Sequence, residues 1–111
     1  MFLPNNLIFI QGKSSQGYLL NAHSLGGVGG QIQAHSACAS SAFGGAAVSN
    51  QMAFIPCTDG LREIKLGSDG KLSNGWSAPS QVSGSPIVGG NTVYALDPSD
   101  GTLYALDAAT G

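Results

Sequence analysis

The sequence repeats its turns at a fixed interval, and this interval constrains the fold more than any other feature. The dipeptides Asp59-Gly60 and Asp100-Gly101 lie 41 residues apart, and Gly29 and Gly70 are separated by the same distance. A period of about 40 residues, with four short strands in each repeat, is typical of radially repeated antiparallel sheets. Each repeat therefore predicts one small antiparallel sheet.

The middle copy, residues 35–80, shows the strands of one repeat most completely. Short apolar segments are separated by turn residues such as Asp59-Gly60 and Asp69-Gly70. Residues 61–66 alternate apolar with polar side chains, which is the period of a half-buried strand. Four strands are predicted in this copy, at residues 46–48, 51–56, 61–66 and 72–78.

The two outer copies show fewer strands. Three are predicted within residues 1–34, at 7–11, 18–22 and 31–34, and three within residues 81–111, at 85–88, 91–97 and 102–106. The chain should thus hold about ten strands, with one complete sheet between two partial ones, and the last sheet should lack its closing strand. A partial repeat at each end would expose an apolar face. We expect a protein partner, missing repeats or further copies of the chain to cover these faces.

Composition supports an all-β protein and excludes several classes of function. Only 9% of residues are charged, 17 are glycine and 42% are hydrophobic, which argues against both disorder and a helical bundle. The four basic residues are scattered and the net charge is -2, so no nucleic-acid partner is expected. No apolar run approaches the roughly 20 residues of a membrane-spanning helix, and no membrane insertion is expected. Residues 1–6 lack the pattern of a signal peptide, so none is expected in this chain.

The last third of the chain carries a more specific motif. Within GTLYALDAATG, at residues 101–111, Ala105, Asp107 and Gly111 form the pattern Ala-x-Asp-x-x-x-Gly. This pattern resembles the tryptophan-docking motif of the PQQ-like, or quinoprotein-like, propeller repeats of exported bacterial proteins. The tryptophan that follows the motif in that family would fall beyond Gly111, but Trp76 stands near the expected place in the middle copy.

The resemblance implies a partial β-propeller of about two and a half blades, each an antiparallel four-stranded sheet when complete. The blades would be residues 1–34 (partial), 35–80 (complete) and 81–111 (partial). Such a chain would be a non-catalytic structural or interaction scaffold in an exported bacterial protein, located in the periplasm or outside the cell. The alternative is a fragment of a PQQ-dependent dehydrogenase whose active centre lies on blades outside this chain.

The motif has a structural explanation that requires no cofactor. The aspartate would accept backbone hydrogen bonds in a turn, the glycine would permit a positive φ, and the tryptophan would pack between blades. Matching the repeat does not imply binding the quinone, so no cofactor is expected. We therefore expect Trp76, Ala105, Asp107 and Gly111 to be structural residues.

The two cysteines, Cys38 and Cys57, form the most informative polar pair. An even number of cysteines in a glycine-rich, exported-looking chain favours a disulfide, which would join a loop to the end of a strand. The alternative is two free buried thiols. The quinone-binding dehydrogenases of the family carry two adjacent cysteines, and this chain has no such pair. Zinc is poorly supported, because His23 and His35 show no ligand spacing with the cysteines.

No other arrangement of residues predicts an active site. The serines near His35 lie in a Ser-rich loop without a Gly-x-Ser-x-Gly motif. The acidic turns are explained by turn-forming aspartates without calcium, and the cluster at residues 26–30 lacks the Lys-Ser/Thr of a phosphate-binding loop. We therefore expect no catalytic, cofactor-binding or metal-binding residue, and no enzyme activity in this chain.

Overall fold

The computed structural model describes residues 1–111 and contains eleven β-strands and no helix. The strands are β1 (Phe2–Leu3), β2 (Leu7–Gln11), β3 (Gln16–Asn21), β4 (Gln33–Ser36), β5 (Ala47–Ser49), β6 (Met52–Cys57), β7 (Gly60–Leu66), β8 (Leu72–Ser77), β9 (Ile87–Gly89), β10 (Thr92–Leu96) and β11 (Leu103–Asp107). The prediction of an all-β protein is confirmed. No helix is present that could cross a membrane.

The strands form three separate antiparallel sheets in chain order. Sheet 1 contains β1–β4, sheet 2 contains β5–β8 and sheet 3 contains β9–β11. Consecutive strands are neighbours in every sheet, so each sheet is a simple meander built from hairpins. The expected antiparallel sheets of three and four strands are therefore present. The strand ends differ from the predicted ones by up to two residues.

Sheet 1 corrects the prediction of three strands in the first copy. Phe2–Leu3 pairs with β2, with Leu3 opposite Leu7, and adds a fourth strand. The tight return uses Asn5 and Asn6, whose φ angles of 62° and 57° lie in the left-handed region that asparagine tolerates. A strand of two residues has no alternating pattern, so no sequence pattern indicated it.

The last strand of sheet 1 extends past the boundary predicted between residues 34 and 35. β4 continues to Ser36 and pairs with β3, with Ser36 opposite Gln16. The first unit therefore reaches Ser36, and Ala37 and Cys38 begin the connection to sheet 2. The predicted strand at 31–34 began two residues early because apolar Ile32 lies just before β4.

The sheets are stacked in chain order, and a hydrophobic core fills each of the two interfaces. Between sheets 1 and 2, Phe9 and Leu19 pack with residues that include Ile55 and Ile64. Between sheets 2 and 3, Phe54 and Leu61 pack with residues that include Val93. Neighbouring residues of β6 thus enter different cores, because successive side chains of a strand point to opposite faces. Sheet 2 is buried on both faces, which explains the continuous apolar run of β6.

Corresponding residues of the three sheets are defined by their hairpins. One hairpin of each sheet serves for this comparison: β2–β3, β6–β7 and β10–β11. Where the strand pairing ends, a backbone N–H donates a hydrogen bond to the carbonyl of the residue just before the first strand of the hairpin. The donors are Ala22, Leu66 and Ala108. This common hydrogen bond aligns the three hairpins residue by residue. We call the face of a sheet that points toward the preceding sheet its leading face, and the opposite face its trailing face.

Candidate functional site

The most specific contact in the molecule joins sheet 2 to the end of sheet 3. Trp76 lies on β8, and its indole Nε1 donates a hydrogen bond to the backbone carbonyl of Ala108 at 3.0 Å. Its ring lies 5.7 Å from the Phe54 ring, measured between centroids. Trp76 therefore links the outer strand of one sheet to the turn that ends the next one.

Gly111 provides the surface on which the indole ring lies. A Cβ atom at this position would lie 3.1 Å from Cδ2 and 3.2 Å from Cγ of Trp76, closer than most side chains tolerate. Gly111 also has a φ of 91°, which L-amino acids with side chains rarely adopt. Both the backbone conformation and the close approach of the ring therefore require glycine here.

Asp107 shapes the turn that Trp76 contacts. Its Oδ1 accepts hydrogen bonds from the backbone N–H groups of Ala109 at 2.8 Å and Thr110 at 3.0 Å. The backbone N–H of Gly111 donates to the Asp107 carbonyl, which closes the turn. The bonds from Ala109 and then Thr110 favour the ionised carboxylate and hold the pKa of Asp107 below its ordinary value of 3.8.

The structure thus brings together three of the four motif residues singled out in the sequence. Trp76, Asp107 and Gly111 meet at the Ala108–Gly111 turn. Ala105 pairs with Tyr94 and is exposed on the trailing face of sheet 3, away from this contact. Sequence reasoning identified the residues but did not foresee that Trp76 of one copy would contact the motif of the next copy.

The other two sheets carry different residues at the position of Asp107. In sheet 1 the equivalent residue is Asn21, whose Oδ1 accepts a hydrogen bond from the backbone N–H of His23 at 2.8 Å. In sheet 2 it is Lys65, which cannot accept such a bond. Asn21 therefore performs the turn-capping role that the Ala-x-Asp pattern led us to assign only to Asp107. An asparagine or aspartate at the end of the third strand would have been the better signal.

Sheet 2 also buries a carboxylate that the sequence did not single out. Glu63, on β7, is fully buried, and its Oε2 accepts a hydrogen bond from the backbone N–H of Trp76 at 3.2 Å. The Nζ atom of Lys65 lies 3.8 Å from the same oxygen. The second oxygen, Oε1, has no hydrogen-bond partner. Glu63 therefore supports the backbone at Trp76, at the cost of leaving one buried oxygen unsatisfied.

The predicted disulfide between Cys38 and Cys57 is confirmed. The two Cα atoms lie 5.5 Å apart, within the usual range, and both residues are buried. Cys38 follows β4 and Cys57 ends β6, so the bond ties the connection between sheets 1 and 2 to the second strand of sheet 2. In the chain-entropy model, closing a loop of this size contributes about 3 kcal/mol of stability.

The polar residues considered for catalysis are dispersed over the surface. Nε2 of His35 lies 2.8 Å from Oδ1 of Asn74, a contact between the outer strands of sheets 1 and 2. The Ser40 hydroxyl lies 2.8 Å from that of Thr58, beside the disulfide, and His23 is exposed. No group of three or more His, Cys, Asp or Glu side chains is close enough to hold a metal ion. The contacts that these residues make are contacts between segments of the fold.

The acidic turns likewise have local partners. Oδ1 of Asp97 accepts hydrogen bonds from the hydroxyl and the backbone N–H of Ser99, and these bonds lower the pKa of Asp97 from its ordinary value of 3.8. Asp59 pairs with Arg62 across the β6–β7 turn. Each carboxylate thus fixes the conformation of its own turn.

A comparison with known protein families finds no family model that matches the chain, and a comparison with curated protein sequences finds no significant match.

Proposed function

We propose that this chain is a segment of a β-propeller, of the kind that the PQQ-like repeats form, and that it acts as a structural or interaction scaffold. The three sheets would be successive blades, and the parent would be an exported bacterial protein. The observation that carries the proposal is the docking of Trp76 on the Asp107–Gly111 turn of the following sheet. It joins a repeat to the next one through the residues that resemble the family motif.

Two further observations support this proposal. Both interfaces between sheets are filled by apolar side chains, and sheet 2 is buried on both faces. Polar contacts at the sheet margins reinforce the stacking, such as the 3.0 Å bond from the Leu72 backbone N–H to Oε1 of Gln33. Repeat proteins derive much of their stability from contacts between neighbouring units, and this chain is built in that way.

A scaffold role accounts for the conspicuous polar residues. Trp76, Asp107 and Glu63 each stabilise backbone or turn conformation, and the disulfide fixes the connection between two sheets. A disulfide favours an oxidising compartment such as the periplasm or the extracellular space, which agrees with an exported parent.

Native-state hydrogen exchange in increasing denaturant tests the scaffold proposal. If the sheets are coupled repeats, the protected amides of β2, β6 and β10 should lose protection in one common unfolding transition. Independent opening of sheet 3 well below the global transition would contradict the proposed coupling through Trp76. Far-UV circular dichroism on the same samples should give a single matching transition.

Equilibrium dialysis against pyrroloquinoline quinone and calcium tests whether this chain itself holds the quinone. The alternative, a dehydrogenase fragment with its active centre outside this chain, is tested by the same assay on the parent protein, where absence of binding would exclude it. We expect no saturable binding and no dye-linked alcohol oxidation by the folded, disulfide-bonded chain. Saturable binding of about one quinone per chain, or quinone-dependent oxidation, would overturn the non-catalytic assignment. The Trp76→Ala variant is the matched control. If quinone binding is found, its loss in this variant would show that binding depends on the packing between sheets 2 and 3.

A further inference from the structure

The trailing face of sheet 3 has the character of an interface but lacks a covering sheet. The side chains at its centre are apolar, with Thr92 and Asp107 at one end: Ile87, Tyr94, Leu96, Leu103 and Ala105. Leu103 is 62% exposed, whereas Leu61, at the equivalent position of sheet 2, is fully buried under sheet 3. Tyr94 is equivalent to Phe9 and Phe54, which are both buried by the sheet that follows them. Tyr94 has no following sheet to cover it.

The leading face of sheet 1 is the other uncovered apolar surface. Its side chains are mostly apolar, and the polar pair Gln16 and Ser36 lies at one end: Phe2, Ile8, Ile10, Tyr18 and Leu20. Ile10 is 49% exposed and Tyr18 is 40% exposed. The leading face of sheet 1 and the trailing face of sheet 3 thus lie at opposite ends of the stack of sheets.

The leading face of sheet 1 repeats the pattern of a leading face that is docked in this structure. Tyr18 and Leu20 on β3 occupy the positions of Tyr104 and Leu106 on β11, so the pattern Tyr-x-Leu occurs at the same place in both sheets. Tyr104 and Leu106 pack into the core between sheets 2 and 3, against the trailing face of sheet 2. The leading face of sheet 1 therefore has the residues that cover a trailing face.

The centres of the two faces also carry no charge. Among their strand residues only Asp107 is charged; it ends β11, and the equivalent Lys65 stays 49% exposed where sheet 2 docks on sheet 3, so bringing the faces together would bury no unpaired ion. Both interfaces inside the chain place a trailing face against a leading face, and the chain presents one unused face of each kind. A second copy continues the interface that the molecule already uses twice.

We propose that a second copy of this chain docks the leading face of its sheet 1 on the trailing face of sheet 3. This inference rests on the repeat packing of the proposed scaffold function and names the partner of its uncovered faces. The contact is heterologous, because different surfaces of the two copies meet, so further copies can add until a ring closes or a linear assembly grows.

Light scattering after size exclusion, on the folded and non-reduced chain, measures the association over roughly a hundredfold range of concentration. Two variants each disable one face: Leu103→Asp on sheet 3 and Ile10→Asp on sheet 1. Both side chains are exposed in the single chain, so the fold should tolerate the changes. Phe43→Asp is the matched control, since Phe43 is an exposed apolar residue that belongs to neither face.

The wild type and Phe43→Asp should form assemblies larger than a monomer, and each face variant alone should associate at least about tenfold more weakly. Mixing the two face variants should restore a 1:1 complex, because each supplies the face that the other lacks. If Leu103→Asp fails to fold, Ile87→Asp tests the same face, since Ile87 is also largely exposed.

Three results would overturn the inference. One is a wild type that stays monomeric at all concentrations while folded. Another is self-association of either face variant as strong as that of the wild type, which would indicate contact between identical faces. The third is a mixture of variants that remains monomeric. The scaffold proposal is tested separately, by the common unfolding transition of the three sheets in the monomeric samples, so failure of one proposal is distinguishable from failure of the other.

Discussion

Replacing Trp76 with alanine should destabilise the whole stack of sheets. Truncating a fully buried large aromatic residue costs about 3–5 kcal/mol, and Trp76 is partly buried, so about 2 kcal/mol is expected from packing. The lost hydrogen bond to the carbonyl of Ala108, a buried residue, adds about 1 kcal/mol. The free energy of unfolding should therefore fall by about 3 kcal/mol.

Trp76→Phe separates the hydrogen bond from the ring. Phenylalanine keeps an aromatic ring near Phe54 and Gly111 but cannot donate to Ala108. It should therefore lower the free energy of unfolding by about 1 kcal/mol, well short of the alanine variant. Guanidinium unfolding followed by far-UV circular dichroism measures both values, because each midpoint and slope is read from that variant's own transition and does not require tryptophan fluorescence.

Hydrogen exchange locates the effect of the alanine variant. Because Trp76 ties sheet 2 to the final turn of sheet 3, amides of β10 and β11 should lose protection at lower denaturant than those of β6. The docking argument fails if Trp76→Ala changes the free energy of unfolding by less than about 0.5 kcal/mol, the usual range for a surface substitution. It also fails if the phenylalanine and alanine variants are equally destabilised.

Three further perturbations test the other structural assignments. Replacing Cys38 and Cys57 together with serine should lower the free energy of unfolding by about 3 kcal/mol in urea, and no change would refute the assigned stabilising role of the bond. The pKa values of Asp97 and Asp107 are lowered from 3.8 in the folded state, so the stability they provide is present above about pH 4 and is lost as pH falls through the lowered values. Thermal midpoints measured from about pH 6 to about pH 2 should therefore drop more steeply in the wild type than in Asp107→Asn, and parallel curves would contradict the assignment. Glu63→Gln should raise the urea midpoint, because it removes a buried carboxylate with an unpaired oxygen. Lys65 then loses its ion-pair partner, but its side chain is half exposed, so water can solvate the charge. A lower midpoint would show that the 3.8 Å contact with Lys65 outweighs the cost of burial.

The amino-acid sequence by itself was sufficient to predict the all-β class and the antiparallel sheets. These features follow from local rules, since short apolar segments such as residues 51–56 and turns such as Asp59-Gly60 act within a few residues. The half-buried strand predicted at residues 61–66 is wrong, because Leu61 enters the core with sheet 3 and Ile64 enters the core with sheet 1. The pairing of Cys38 with Cys57 was also predictable, because the chain has only two cysteines. The short strand Phe2–Leu3 and the extension of β4 were missed, because segments of two to four residues carry too little periodicity.

Only the tertiary structure decided which faces meet. Ala53 and Phe54 are neighbours in sequence but enter different cores, and nothing local indicates which sheet covers which face. The docking of Trp76 on Gly111 joins residues 35 positions apart, and the burial of Glu63 results from that same stacking. Such contacts depend on how whole sheets pack, a non-local property for which a single sequence offers residues of the right kind but no coordinates.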